Sequence, residues 1–523
     1  MAAKNSDAVL LTPDEFDIAR QISAIANCNP FLPDRITLER ELLRETFDDR
    51  CADWNTQPGG EDDSPNVRNV IARSEAVLAS VRSRLANAPL RPSDIQHLQH
   101  TPAWQAFEDT LLVAVYHRLR PALNRLVAEP RSATSNAGEI YQSQQALFAS
   151  HTAGTGLERQ WEAAMPHFFA GFAQLRRAFD NIYGLIVGVS KPAIRMRAAV
   201  WQSIFTHDMH HYRFALYERM ADFSTLVTGP SGTGKELVAR AVGLSRYVPF
   251  DPREGRFEDS SEASFFPVHL SAMSPTLIEA ELFGHARGAF TGAVAQRTGW
   301  FEACPATGVI FLDEVGELDP SIQVKLLRVL QQREFSRIGE TKIRRFAGKV
   351  VAATNRSLDA MMQSGEFRED LFYRLCSDMI EVPSLRNRVD DDPRELGVLI
   401  KTLVGRMLGG DTSRAAAIEE RVRASVGDRY RWPGNIRELE QCIRNVLVRG
   451  CYQPAATATP SRHATDAYAE LANRMRKAAI TADELVTRYC QLDYAQTGNF
   501  QATGRRLRLD RRTVKAKLGE PRA

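Results

Sequence analysis

The apolar run Thr225-Leu-Val-Thr228 leads straight into Gly229-Pro-Ser-Gly-Thr-Gly-Lys-Glu236, and a helical stretch, Leu237 to Val242, follows. A strand that turns into a helix through glycines makes a phosphate cradle. The glycines let the backbone fold tightly, so its N–H groups face a phosphate chain. Lys235 then neutralises the outer phosphates, and the helix N-terminus adds positive potential. The candidate nucleotide-binding residues are Gly229, Pro230, Ser231, Gly232, Thr233, Gly234, Lys235 and Glu236. Glu236 stands where the general pattern has Ser or Thr for magnesium.

A second element supports the first. Val309-Ile-Phe-Leu312 is an apolar strand ending in Asp313-Glu314. A buried strand that delivers two carboxylates at its C-terminal end suits metal-assisted phosphoryl transfer. Asp313 is the candidate for holding Mg2+, directly or through water. Glu314 is the candidate for orienting or deprotonating the attacking water. Two further short apolar runs, Phe266–Leu270 and Val350–Ala353, alternate with helical stretches, which predicts a parallel sheet covered on both faces.

The 523 residues suggest about three domains at roughly 100–200 residues each. Residues 1–185 read as mainly helical. Val67, Val70, Ile71, Val77, Leu78, Val81 and Leu85 follow the helical period, as do Trp104, Phe107, Leu111, Val115, Leu119, Leu123 and Leu126. Pro121 predicts a kink or division of the second helix. Gln57–Pro65 and Arg131–Asn136 read as loops. The aromatic stretch Trp161–Tyr183 reads as core or dimer interface rather than ligand pocket. Residues 186–393 carry the α/β pattern, 394–450 a small helical subdomain, 451–465 a linker and 466–523 a helical tail. The last 24 residues hold eight Lys/Arg against two Asp/Glu, so a near-neutral total hides a basic end.

Lys+Arg at 67 against Asp+Glu at 64 argues against a simple basic coat for nucleic acid. Seven cysteines without a Cys-x-x-Cys pair argue against a disulfide scaffold or zinc module. No run reaches the length of a membrane span, since Arg176, Arg177 and Asp180 break the best candidate, and the N-terminus does not read as a secretory signal. A cytoplasmic protein with reduced thiols, not associated with a membrane, is the expectation. His207, His210 and His211 lack the further ligands that would complete a metal site.

Glu281-Leu-Phe-Gly-His285 followed by Gly288-Ala-Phe-Thr-Gly-Ala293 resembles the signature loop of the sigma-54-dependent bacterial enhancer-binding proteins, the NtrC-like branch of the AAA+ ATPases. Phe311–Leu318 resembles their Walker B segment and Val351–Arg356 their sensor I. Phe367–Leu375 resembles the arginine-finger segment, and Trp432–Leu439 resembles sensor II. The likeness covers about 190–450 strongly and the tail well, but not residues 1–185. It implies an AAA+ P-loop ATPase with a parallel sheet and helical lid, preceded by a mainly helical regulatory or sensory domain. It also implies ATP and Mg2+ as ligands and a homo-oligomer, from dimer to hexamer, with nucleotide held between subunits.

The resemblance assigns roles residue by residue. Arg368 and Arg374 would reach a neighbouring subunit's γ-phosphate, a task that suits fixed guanidinium charge. Asn355 and Thr354 would lie near that phosphate, and Arg437 would contact nucleotide in cis. Gly288, Ala289, Phe290, Thr291, Gly292 and Ala293 would engage RNA polymerase sigma-54 factor, with Phe290 and Thr291 exposed at the tip and Gln332–Lys349 forming a supporting loop. Pro230 replaces a common acidic residue without consequence. His269 occupies the place of a strand Asn that pairs with the catalytic Glu, so it is expected to hydrogen-bond Glu314 and to alter the regulation of basal hydrolysis.

Gly498–Leu518 resembles the Fis-like helix-turn-helix that ends many of these activators. A first helix is expected over Gln501–Leu507 and a recognition helix from about Asp510 to Leu518, binding upstream activating DNA as a dimer. Arg511, Arg512, Thr513, Lys515 and Lys517 are the candidate DNA-contacting residues. The resulting expectation is an ATP-driven transcriptional activator that remodels the closed promoter complex. Its rivals are an AAA+ remodeller of another protein target and a DNA-binding regulator with a weak ATPase.

Overall fold

Four runs of β-branched and apolar residues, with a fifth, build one parallel sheet in the computed structural model. The strands are β1 (Thr225–Thr228), β2 (Phe265–His269), β3 (Val309–Asp313), β4 (Lys349–Thr354) and β5 (Asp378–Glu381). Their order across the sheet is β5-β1-β4-β3-β2. The structure describes residues 10–51, 64–128, 133–258, 265–290, 293–427, 430–454, 471–472, 474–476, 480–497 and 499–518. The β5 strand was not anticipated. It is a short edge strand with an acidic residue at each end, a composition that protects an edge and hides its apolar signal.

Val309, Ile310, Phe311 and Leu312 of β3 are fully buried. Burial on both faces explains why that strand reads as a continuous apolar run rather than an alternating one. One face of the sheet, with Leu226, Ile310, Leu312 and Ala352, packs on Ile322, Leu326 and Leu371. The other face, with Val227, Val309, Phe311 and Val351, packs on Val238 and Val242 of the Lys235–Gly243 helix. Trp201 and Phe205 of the Lys191–Phe205 helix join the same core, as do Ala178 and Ile182 of the Met165–Leu185 helix.

The N-terminal region is helical, with long helices at Pro65–Asn87, Pro102–Ala128, Ala133–Thr152 and Met165–Leu185. Pro121 does not divide its helix, which runs unbroken from Pro102 to Ala128. Leu119, Leu123 and Leu126 are buried on either side of the proline and hold the helix together there. The expected loop at Arg131–Asn136 is shorter than predicted, because a helix begins at Ala133, while 131–132 lie outside the described residues. Residues 57–63 of the Gln57–Pro65 loop also lie outside them, and Pro65 opens the next helix.

The N-terminal helices and the α/β region share their interiors. Phe31 meets Phe179, Tyr183 and Trp201 at ring-centroid distances of 6.0, 5.2 and 5.9 Å. Phe250, on a short hairpin following the Lys235–Gly243 helix, meets Tyr141 and Phe169 at 5.0 and 4.7 Å. Residues 1–450 form one compact unit and 451–523 a second. Among the described residues no helix is long and apolar enough to cross a membrane.

Candidate nucleotide site

Parallel strands bring their C-terminal ends to one edge, and that is where this site is built. Thr228 on β1 pairs in register with Thr354 on β4, so the loops that follow them are neighbours. Ala352 on β4 pairs with Leu312 on β3, which places Asp313 and Glu314 beside that pair. Gly229, Gly232 and Gly234 have φ of 143, 75 and 95°, in the region that favours glycine. Gly232 is constrained further, because a Cβ there would lie 2.4 Å from the carbonyl oxygen of Gly434.

Lys235 opens its helix and is buried, with 7% of its surface exposed. Its Nζ donates to the carbonyl oxygens of Gly229 at 3.1 Å and Pro230 at 3.3 Å. Burial pulls its pKa below the ordinary value, while the charges of Glu314 and Asp313 pull it back up. Thr233 Oγ1 donates to the Pro230 carbonyl at 2.9 Å and closes the loop. A buried ammonium with only backbone carbonyls as direct acceptors, in a glycine loop at a helix start, fits a polyphosphate. Glu236 is half-buried in the first helical turn.

The carboxylates do not follow simple strand alternation. Glu314 has φ of 59°, a left-handed conformation that ends β3 abruptly. Its N–H donates to Asp313 Oδ1 at 3.1 Å. His269 pairs in register with Asp313, and its Nδ1 lies 3.2 Å from Asp313 Oδ2. The expected hydrogen bond from His269 to Glu314 is therefore corrected: the β2–β3 register offers the imidazole Asp313 instead. Thr354 is buried and its Oγ1 accepts the Arg356 N–H at 3.1 Å, while Asn355 is exposed at the strand end.

The start of the Asn435–Arg449 helix touches the 229–234 loop directly. Arg437 Nη1 lies 3.3 Å from Ser231 Oγ, and the Arg437 N–H donates to the Gly232 carbonyl at 3.2 Å. Sequence reasoning missed Asn435, which is buried with φ of 54°. Its Nδ2 donates to the Ser231 carbonyl at 2.9 Å and its Oδ1 accepts the Leu385 N–H at 2.9 Å. The signal was the Pro-Gly-Asn turn opening a helix, since Asn tolerates a positive φ better than most residues.

Arg368 and Arg374 stand apart from these groups. Arg368 caps the Glu369–Leu375 helix and pairs with Asp370 at 2.7 Å. Arg374 is exposed and has no ion-pair partner among the described residues.

The Gly288–Ala293 loop rises from a short antiparallel pair, Gly284–His285 with Arg297–Thr298. The Gly288 N–H donates to the Ala293 carbonyl at 2.8 Å and closes its base. Ile338, in the segment expected to support the loop, bridges to His285. Arg337 holds that segment to Glu302 with two 2.8 Å bonds. Phe290, expected to be exposed, is half-buried, its ring edge-on to His285 at 5.0 Å. The aromatic tip finds cover because exposed aromatic surface is unfavourable in water. Thr291 and Gly292 lie outside the described residues.

In the second unit, helices Phe500–Leu507 and Arg511–Lys517 flank a turn at Arg508, whose φ is 55°. Asp510 caps the second helix through the N–H groups of Arg512 and Thr513. Val514 is buried; Arg511 and Arg512 are exposed. Lys515 Nζ lies over the Phe500 ring at 5.1 Å, and Lys517 is ion-paired with Asp483. A Cβ on Gly504 would lie 2.7 Å from the Leu509 carbonyl oxygen, so the turn needs that glycine.

Residues 207–381 match the family described as Sigma-54 interaction domain. The chain is similar to a Nif-specific regulatory protein of Azotobacter vinelandii, 44% identical over 225 residues, which are 43% of this chain and 40% of that one. It is similar to a Nif-specific regulatory protein of Herbaspirillum seropedicae, 37% identical over 281 residues, 53% of this chain and 46% of that one. It is also similar to the Sigma54-dependent transcriptional regulator SfnR of Pseudomonas fluorescens (strain Pf0-1), 41% identical over 228 residues, 44% of this chain and 57% of that one. The chain thus spans about half the length of the curated relatives it matches.

Proposed function

Because residues 207–381 are a sigma-54 interaction domain, and the chain is through it a relative of the sigma-54-dependent activators, we propose that it is a transcriptional activator driven by ATP hydrolysis. In this reading the tail binds upstream DNA and the chain assembles as a ring. The loop at 288–293 then acts on the polymerase closed complex held by sigma-54. The observation that carries the reading is the convergence of Lys235, Asp313 and Glu314 at one sheet edge, with the lid residues Asn435 and Arg437 bonded to the same phosphate loop.

Each group has a task that follows from its chemistry. The backbone of 229–234 and Lys235 bind and orient the triphosphate. Asp313 would hold Mg2+, which would draw charge from the outer phosphates. Glu314 takes a proton from the attacking water. Arg368 and Arg374, which bond to none of these groups in their own chain, act on the site of an adjacent subunit, so hydrolysis requires assembly. Asn355 senses the outer phosphate. Phe290 docks on His285 in one state and is released to sigma-54 in another. Arg511, Arg512, Thr513, Lys515 and Lys517 face the DNA, with Lys517 exchanging Asp483 for a phosphate.

The test is open-complex formation by purified sigma-54 polymerase with the full chain, with and without ATP. Strict dependence on ATP is expected. Phe290→Ala should lose open complexes while keeping ATP turnover and DNA binding. Failure of the full chain to release phosphate from ATP in the presence of magnesium would overturn the reading. Turnover without any effect on the sigma-54 polymerase would point instead to an AAA+ remodeller of another target.

A further inference from the structure

A cavity of about 240 Å³ lies where the N-terminal helices meet the helix that enters the α/β region. Its apolar walls include Ile22, Leu112, Phe172 and Phe179, together with Trp201 and Phe205 from the Lys191–Phe205 helix. An apolar cavity of about 150 Å³ holds a benzene ring, so this one takes a ring with substituents or two fused rings.

The space is kept open by a particular residue. Gly171 lines the cavity from the interior of the Met165–Leu185 helix, and a Cβ built there meets nothing within 4 Å. Glycine inside a helix costs about 1 kcal/mol relative to alanine. Here no close packing and no positive φ demands it.

The charged groups at the wall already have partners. Asp109, which is buried, accepts from Arg213 Nη2 at 2.7 Å, Ser23 Oγ at 2.6 Å and Asn27 Nδ2 at 2.9 Å. Arg35 Nε bonds Glu39 at 2.7 Å. His167 Nε2 lies 2.9 Å from the Arg213 carbonyl and must donate to it, which leaves Nδ1 to accept from the Tyr247 hydroxyl at 2.9 Å. That arrangement is the neutral imidazole, and burial lowers the His167 pKa in the same direction. An ionised guest would lose its water and find the wall's carboxylates and guanidiniums already ion-paired, a cost of several kcal/mol.

We propose that this cavity is a binding site for a small, uncharged, mainly apolar molecule of one or two rings. Its walls join the N-terminal helices to the Lys191–Phe205 helix, which packs on the sheet carrying the nucleotide site. The inference stands apart from the function proposed above, because its test requires no ATP turnover.

Toluene, indole and 2-naphthol are titrated into the full chain, with binding read by calorimetry and by the thermal unfolding midpoint. The charged comparison is 2-naphthoate. At least one uncharged probe should bind with a dissociation constant below about 1 mM, and 2-naphthoate should bind at least tenfold more weakly than 2-naphthol. Gly171→Leu, which fills the cavity and improves helix propensity, should weaken binding at least tenfold. Gly184→Leu, at an exposed position of the same helix, should leave binding unchanged. No binding by any uncharged probe, equal affinity in Gly171→Leu, or naphthoate binding as tightly as naphthol would each overturn the proposal.

Discussion

His269 Nδ1 stands 3.2 Å from Asp313 Oδ2, directly across the pairing of β2 with β3. The histidine therefore steadies the carboxylate assigned to magnesium rather than the one assigned to water. Partners behind a metal ligand typically change metal affinity by 10–100-fold. His269→Ala is expected to raise the magnesium concentration for half-maximal ATP hydrolysis by about tenfold. A magnesium titration at saturating ATP measures this, and an unchanged midpoint would count against the role.

Asn435 donates one hydrogen bond to the Ser231 carbonyl of the phosphate loop and accepts another from the Leu385 N–H, while holding a left-handed backbone. Loss of buried partners costs about 1–3 kcal/mol. Asn435→Gly keeps the backbone permissive and removes the amide, so the change isolates the bonds from the strain. The KM for ATP should rise about fivefold or more, within that energy range. Steady-state kinetics on the assembled protein distinguish this from a fall in kcat alone.

Arg388 Nε bonds Glu395 Oε1 at 2.6 Å, with both side chains buried. Glu395 Oε2 also accepts the N–H groups of Val189 at 2.5 Å and Ser190 at 2.9 Å, fixing the chain where it leaves the N-terminal helices. Arg388→Met leaves a buried carboxylate without its main counter-charge and should destabilise the unit by about 3–5 kcal/mol. The double change Arg388→Met with Glu395→Met should recover part of that loss. Denaturant unfolding of the three proteins reads the difference.

Lys349 is buried at the start of β4, where its Nζ donates to the Phe223 carbonyl at 2.7 Å. Burial pulls its pKa down to about 7, against the opposing charge of Asp378. An unfolded lysine titrates near 10.4, so between roughly pH 7 and 10 the unfolded chain binds a proton that the folded one does not. Stability from this group therefore rises with pH across that window, by about 1.4 kcal/mol per unit, and is flat below it. Lys349→Met should remove that slope. Unfolding free energies of the two proteins at pH 7, 8 and 9 provide the comparison.

The local chemistry was legible because it is written in short, contiguous stretches. The phosphate loop needs three glycines and a lysine at fixed spacing, and β3 must present Asp313 and Glu314 together, so both appear without knowledge of the fold. The three interior strands, β1, β4 and β3, were legible for the same reason: burial on both faces demands uninterrupted apolar residues, and the edge strand β2 was legible from Phe266 and Val268. β5 escaped because it is only Asp378-Met-Ile-Glu381, and its acidic ends break the apolar signal. Pro121 does not divide its helix, because packing by Leu119, Leu123 and Leu126 outweighs the local propensity for a break.

By itself the sequence determined which residues could bind phosphate and that a parallel sheet would carry them. Only the tertiary structure decided that His269 meets Asp313, that Asn435 closes on Ser231, and that Phe290 lies against His285. Only it showed that Phe31 and Trp201 share an interior and that Gly171 borders a cavity. Those relationships join positions far apart in the chain. They are set by strand register and by how whole helices pack, quantities that no local spacing encodes.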